Sequence, residues 1–213
     1  MFNRVDRLLY SPVISDILDE LGFPNHTLNR EIRPLADGMV LSGRAFPILM
    51  AEGKGPMEDP YRSMIEAIDN LSLNRVPVVI ASGCRTTAVW GELFSTAAKM
   101  RGCRGAIVDG LTRDTKKVLS MGFPLFSAGT SPHDYKGRAK VLSYGKRVRS
   151  GNATVIPGDL VFADIDGAVV IPREAEKETI ARAFEKAGKE NVVRKELLKG
   201  KLLSQAWKEH HVL

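Results

Sequence analysis

The chain has 213 residues, 44% of them hydrophobic, with a formal net charge of +6 and a pI near 9.4. That is enough apolar material for one domain with a substantial core, or for a domain with a helical extension. No run approaches the ~20 apolar residues of a membrane span and no secretory n-region and apolar h-region opens the chain, so the expectation is a soluble, unprocessed, cytoplasmic protein.

In chain order, Ser11-Pro12 reads as a cap and first helical position, with Ile14, Ile17, Leu18 and Leu21 as the apolar stripe and Gly22 as the stop. Gly38 to Met50 alternates as strands do. Gly53-Lys54-Gly55-Pro56 resembles part of a phosphate loop, but lacks the Gly-Lys-Ser/Thr ending and reads as a loop bordering a site. Met57 to Leu71 predicts a helix with Met64, Ile65, Ile68 and Leu71 on one face.

Val76-Pro77-Val78-Val79-Ile80-Ala81 is a continuous apolar run suited to a strand covered on both faces. A loop from Ser82 to Trp90 follows. Leu93, Phe94, Ala97, Ala98 and Met100 then recur at helical spacing, so Gly91-Glu92-Leu93-Phe94 is expected to be a first helical turn. Gly105 to Gly110 reads as a second buried strand, followed by a helix from Thr112 or Arg113 through Leu119 and a third strand at Pro124 to Ser127.

Residues 139 to 171 read as β structure, with an Asp166-Gly167 hairpin turn between Asp159–Ala163 and Ala168–Ile171. Asp164 and Asp166 are read as turn chemistry rather than metal ligands. From Pro172 the chain is helical, broken near Gly188 and Gly200, and ends in exposed Trp207, Val212 and Leu213, a tail suited to packing on a neighbouring subunit. The division expected is a catalytic domain over 1–172 and a helical extension over 173–213.

Cys84 and Cys103 lack the close pairing of a zinc knuckle or redox motif and read as ordinary reduced thiols. His26, His133, His210 and His211 form no metal-binding spacing. The basic balance raises nucleic acid as a partner, yet the lysines and arginines from Lys186 to Lys208 interleave with Glu190, Glu196, Glu209 and apolar residues, as on an amphipathic helix. Nucleic acid is therefore not expected as a partner.

Strands separated by single short helices imply parallel pairing with right-handed crossovers, which brings both strand-to-helix turns to one carboxyl edge of the sheet. Free amides at Gly91 to Phe94 suit a carboxylate. Arg113 adds a bidentate cation for a carboxylate or enolate oxygen, and Asp114 offers a hard oxygen for Mg²⁺ or Mn²⁺, with Glu92 able to reach it through water. Taken alone, an Arg-Asp pair at a helix start also reads as a solvated salt bridge.

Ordered matches along nearly the whole chain resolve that choice. Ser15 to Gly22, Ile32-Arg33-Pro34-Leu35, Gly43 to Phe46, Ala88 to Phe94, Gly105 to Gly110, Arg113-Asp114, Gly129-Thr130-Ser131-Pro132, Pro157 to Val161 and Ala163 to Gly167 together resemble the RraA-like family. That family holds regulators of ribonuclease activity and class II 4-hydroxy-4-methyl-2-oxoglutarate aldolases.

The resemblance implies a swivelling β/β/α architecture and a trimer or dimer of trimers with sites near subunit boundaries, where Glu190 or Glu196 would approach a neighbour's site. It implies that Gly91, Glu92, Leu93 and Phe94 hold the pyruvoyl group through backbone amides, that Arg113 binds substrate, and that Asp114 ligates the metal. The regulator branch typically lacks the aspartate after this arginine, so Asp114 points to the aldolase branch. Lys117 departs from the pattern, because many aldolases carry an acidic residue there.

The expected activity is divalent-metal-dependent cleavage of a 4-hydroxy-2-oxo acid to pyruvate, with decarboxylation of oxaloacetate as a second reaction. Arg113 would stabilise the enolate and Glu92 would assist removal of the hydroxyl proton. No lysine is marked as a Schiff-base nucleophile. The alternative is a noncatalytic regulator that binds a ribonuclease or related protein.

Overall fold

A computed structural model of the chain describes residues 1–53, 55, 58–81 and 83–212. Lys54, Pro56 and Met57, which fall in the expected loop and at the expected helix start, lie outside the described residues, as do Ser82 and Leu213.

The elements run α1 (Phe2–Leu8), α2 (Ser11–Glu20), β1 (Arg33–Pro34), β2 (Leu41–Glu52), α3 (Arg62–Asp69), β3 (Arg75–Ile80), β4 (Ala88–Trp90), α4 (Glu92–Met100), β5 (Ala106–Thr112) and α5 (Thr115–Ser120). They continue with β6 (Leu125–Thr130), β7 (Ala139–Tyr144), β8 (Val148–Ser150), β9 (Ala153–Val155), β10 (Leu160–Asp164), β11 (Gly167–Ile171), α6 (Glu176–Leu197) and α7 (Leu203–His210).

A nine-stranded sheet in the order β1-β6-β5-β3-β2-β10-β11, with β4 added on β5 and β7 on β2, forms the body of the fold. The β2, β3, β5 and β6 pairs are parallel, as the strand–helix alternation predicts. The outer pairings of β1, β7, β10 and β11 are antiparallel. This is the mixed α/β architecture expected.

The apolar run of β3 splits between two cores because successive strand side chains point to opposite faces. Val79 joins Met64, Ile68, Ala98, Val108 and Val118 under α3, α4 and α5. Val76, Val78 and Ile80 join Ile107, Val148, Ala153 and Val155 beneath the β8-β9 hairpin. A third cluster packs α2 and α6 on β10 and β11 through Ile14, Leu18, Phe162, Ile171 and Ala183.

Several local expectations change. The first cap is Tyr10 rather than Ser11, and Ser11 is inside α2. Its main-chain N–H and hydroxyl donate to the buried Asp164 carboxylate at 2.7 and 2.6 Å, and the same carboxylate accepts Asp166 N–H at 3.0 Å. Asp164 therefore secures the helix start and its own turn. The short α1 was not anticipated.

α3 begins at Arg62, and Ile65, expected on its apolar face, is 50% exposed. Leu93 and Met100 of the expected α4 stripe are 75% and 81% exposed, while Ser95 and Ala98 are the buried positions. Gly188 does not break α6, which runs for 22 residues; Gly200, with φ +91°, follows its end. Among the described residues, no helix is long and apolar enough to cross a membrane.

Candidate active site

The carboxyl ends of β4 and β5 meet where Trp90 pairs with Thr112. Two further bonds lock the following turns together: Arg113 N–H and the Thr112 hydroxyl both donate to the Trp90 carbonyl, at 3.0 and 3.1 Å. Gly91 then stands at the cap of α4 in extended conformation. The N–H groups of its first turn have no intrahelical acceptor and face an anion-favouring pole.

β5 runs on through Thr112, so Arg113 lies between strand and helix rather than in the helix expected from the sequence. Asp114 is the cap of α5, in a left-handed conformation with φ +58°. Asp and Asn visit that region more readily than most residues. The turn aims the carboxylate back toward α4, where its Oδ2 accepts Glu92 N–H at 3.4 Å.

Gly91 is required by space rather than by backbone angle. A Cβ there would stand 2.8 Å from Asp114 Oδ2 and 3.2 Å from Arg113 Cγ. The Arg113 guanidinium lies 3.6 Å from Asp114 and 3.8 Å from Asp134, each beyond close hydrogen-bond contact, and is 38% exposed. It retains donors for an anionic ligand.

These residues border a cleft of about 440 Å³. Gly91, Glu92, Leu93, Phe94, Arg113 and Asp114, the six residues singled out in the sequence, all line it. Glu92 accepts the Thr96 hydroxyl at 2.9 Å. Leu93 presents an exposed side chain at the rim, so any part it takes in binding falls on its main chain.

Ala88, Val89 and Trp90 of β4 also line the cleft, and Tyr61, Ile65, Asp134 and Tyr135, which complete the wall, were not found as site residues from the sequence. Asp134 and Tyr135 come one residue after the Gly129 to Pro132 segment, and a carboxylate just beyond a strand of the same parallel set was the signal available. The Tyr61 hydroxyl donates to the Asp134 carboxylate, and burial, then that bond, push the Tyr61 phenol up from its usual range. Tyr135 packs edge-on to Tyr61 at 5.2 Å and near Phe94 at 6.5 Å, and burial raises its phenol strongly. Both tyrosines therefore enter the wall as neutral groups.

The other candidates lie away from this cleft. Lys117 is exposed on α5. Glu190 accepts the Tyr10 hydroxyl, and Glu196 is engaged by Lys201 and His210, both at 2.8 Å. Cys84 and Cys103 are free and buried, and burial raises both thiols. Among the described residues, the one grouping of three metal-capable side chains is Glu196, Glu209 and His210, already bridged by Lys201.

Comparison with known proteins agrees with this architecture. A family model described as RraA-like, Aldolase/RraA, matches residues 11–170. The protein DlpA of Legionella pneumophila is 29% identical over 202 residues, covering 94% of this chain and 32% of its own length; the chain thus spans about a third of that relative. A protein of Halalkalibacterium halodurans named "Putative 4-hydroxy-4-methyl-2-oxoglutarate aldolase" is 30% identical over 180 residues, covering 84% of this chain and 80% of its own.

The crystal structure of Streptomyces coelicolor RraAS2, described as an unusual member of the RNase ES inhibitor RraA protein family, superimposes with a TM-score of 0.80 at 28% identity. It covers 91% of this chain and 96% of that one. The chain belongs to the RraA-like family, whose members include both metal-dependent aldolases and noncatalytic ribonuclease regulators and are typically trimeric.

Proposed function

We propose that this chain is a divalent-metal-dependent lyase that cleaves a 4-hydroxy-2-oxo acid, with 4-hydroxy-4-methyl-2-oxoglutarate as the reference compound, to pyruvate by retro-aldol reaction. Oxaloacetate decarboxylation at the same site is part of the proposal, as are the family's trimer or dimer of trimers, a cytoplasmic location, and the division into a domain over 1–172 and an extension over 173–213. The observation that carries the reading is the convergence of Arg113, Asp114 and the open first turn of α4 on one cleft.

The donors suit a hard cation. Asp114 offers carboxylate oxygen, 39% exposed, in a space that a side chain at position 91 would fill; no thiol or imidazole is among the described residues lining the cleft. Asp114 would hold Mg²⁺ or Mn²⁺ as its direct protein ligand, water and substrate oxygens supplying the rest. When bound, such an ion supplies Lewis-acid polarisation of the substrate carbonyl.

The protein's own groups account for the remaining steps. The main-chain N–H groups from Gly91 to Phe94 hold the substrate carboxylate. Glu92 receives the C4 hydroxyl proton through water as the C3–C4 bond breaks and C4 becomes a carbonyl. The bonding pair passes to C3 and onto the C2 oxygen, where Arg113 meets the developing charge. Protonation at C3 then gives pyruvate.

The test is pyruvate release from 4-hydroxy-4-methyl-2-oxoglutarate and from oxaloacetate, with Mg²⁺ or Mn²⁺ and with chelator, corrected for metal-catalysed background. Chelator-sensitive release above background supports the lyase. The likeness to RraAS2 favours a second reading, a regulator that binds a ribonuclease. No release from either substrate, together with saturable ribonuclease binding, would put that reading first.

A further inference from the structure

We infer that Asp134 is a positioning residue for Arg113, held in turn by Tyr61, so that a carboxylate from another segment aims the guanidinium into the cleft. This deepens the lyase reading and rests on it for the reaction, but the restraint on Arg113 has a readout that needs no turnover.

The Arg113 main chain is fixed, because its N–H donates to the Trp90 carbonyl at 3.0 Å. That bond does not fix the side chain: an arginine stem has many rotamers and needs further contacts to choose one. Two carboxylates supply them. Asp114 Oδ2 lies 3.6 Å from Nε, and Asp134 Oδ1 lies 3.8 Å from Nη1. In the lyase reading Asp114 is given to the cation, which leaves Asp134 as the carboxylate that orients the guanidinium. With Arg113 38% and Asp134 27% exposed, the pair is partly shielded from water, where such an attraction is stronger than on an open surface.

A residue can aim another only if it is itself held, and Asp134 is held on several sides. Its backbone bridges to Ala88 at the start of β4, and the neighbouring His133 carbonyl accepts Ala88 N–H at 2.8 Å. Its own carbonyl accepts Arg138 Nη1 at 3.0 Å. Its second carboxylate oxygen, Oδ2, accepts the Tyr61 hydroxyl, so the two oxygens are divided between tyrosine and arginine. Tyr61 is the cap of α3, and its ring stands edge-on at 5.2 Å to Tyr135, which is 1% exposed. The buried wall of the cleft is thus tied through Tyr61 and Asp134 to Arg113.

Two substitutions separate positioning from packing. Asp134→Asn keeps the shape and an oxygen for the Tyr61 hydroxyl while removing the charge that faces Arg113. Tyr61→Phe keeps the ring against Tyr135 and removes only the hydroxyl. The direct readout is the Arg113 Nε–H signal in heteronuclear NMR with Mg²⁺ present, assigned by its loss in Arg113→Lys. Its exchange with solvent should be about threefold faster or more in both variants, as for loss of a partly exposed ion pair. The second readout is pyruvate release from 4-hydroxy-4-methyl-2-oxoglutarate. Asp134→Asn should lower kcat about tenfold with KM little changed. In an Arg113→Lys background the same substitution should cost less than about threefold, because the group it acts through is already gone.

An Arg113 signal that exchanges equally fast in wild type, Asp134→Asn and Tyr61→Phe overturns the inference whatever the turnover. An equal cost of Asp134→Asn in the wild-type and Arg113→Lys backgrounds also overturns it, because Asp134 would then act without Arg113. Faster exchange with kcat unchanged overturns it while the lyase stands. Faster exchange in both variants of a protein that releases no pyruvate keeps the positioning of Arg113 and sinks the lyase.

Discussion

The main-chain N–H of Glu92 meets the Asp114 carboxylate at 3.4 Å, so the proposed metal ligand also closes part of the N-terminal turn of α4. The contact exists because Gly91 has no side chain. In Gly91→Ala the added methyl would press on Asp114 Oδ2 and Arg113 Cγ, both parts of side chains able to shift. Stability should change by no more than about 1 kcal/mol, while kcat/KM falls at least tenfold, since displacements of about 1 Å in such sites can cost up to a hundredfold. Thermal melts and pyruvate assays on one preparation check both halves.

Arg113 stands 3.6 Å from one carboxylate and 3.8 Å from another, with its main chain fixed to Trp90. Arg113→Lys keeps the charge but loses the planar fork. kcat should drop by about a hundredfold or more, as for removal of an oxyanion-stabilising donor, with the melting temperature little changed. Near-normal kinetics would remove Arg113 from the enolate-binding role.

Asp164 organises the start of α2 from across the fold, accepting the Ser11 N–H and hydroxyl and the Asp166 N–H. Asp164→Ala leaves the buried Ser11 donors without that partner. The variant should be destabilised by about 2 kcal/mol in chemical denaturation, and the metal dependence of the residual activity should be unchanged. A shift in metal affinity without loss of stability would restore Asp164 as a ligand.

The Cys103 thiol is pushed by burial from an ordinary 9.0 up to about 11. The folded state thus keeps a proton that the unfolded chain has begun to lose. The associated stability is fully present below pH 9 and is lost as pH rises toward about 11. At fixed denaturant, unfolding should become easier across that window, and Cys103→Ser should flatten this dependence. In the native protein, thiol reagents at pH 8 should modify neither Cys103 nor the buried Cys84 at the rate seen after unfolding.

The α4 turn was legible because a buried strand, a glycine and a following helix are all local signals. The start of α5 was not, because β5 is prolonged through Thr112 by pairing with Trp90 on one side and Thr130 on the other. That pairing moves Asp114 out to a left-handed cap. Gly188 was expected to interrupt the last long helix, but Ala183 and Ala187 are buried against the α2 cluster. Such burial opposes a glycine penalty of about 1 kcal/mol. Asp134 and Tyr61 escaped notice because nothing near either in sequence reveals that they meet each other beside Arg113.

Asp114 is the one direct protein ligand proposed for the metal, and Asp114→Asn tests that role most cleanly. Asparagine keeps the shape and accepts the left-handed backbone of this position, so the change removes charge with little cost to the fold. The deciding measurement is chelator-sensitive pyruvate release from 4-hydroxy-4-methyl-2-oxoglutarate by wild type and Asp114→Asn side by side, with Mg²⁺ varied. Metal-dependent release by the wild type and at least a hundredfold loss in a folded variant are expected. Full metal-dependent activity in Asp114→Asn would contradict that role.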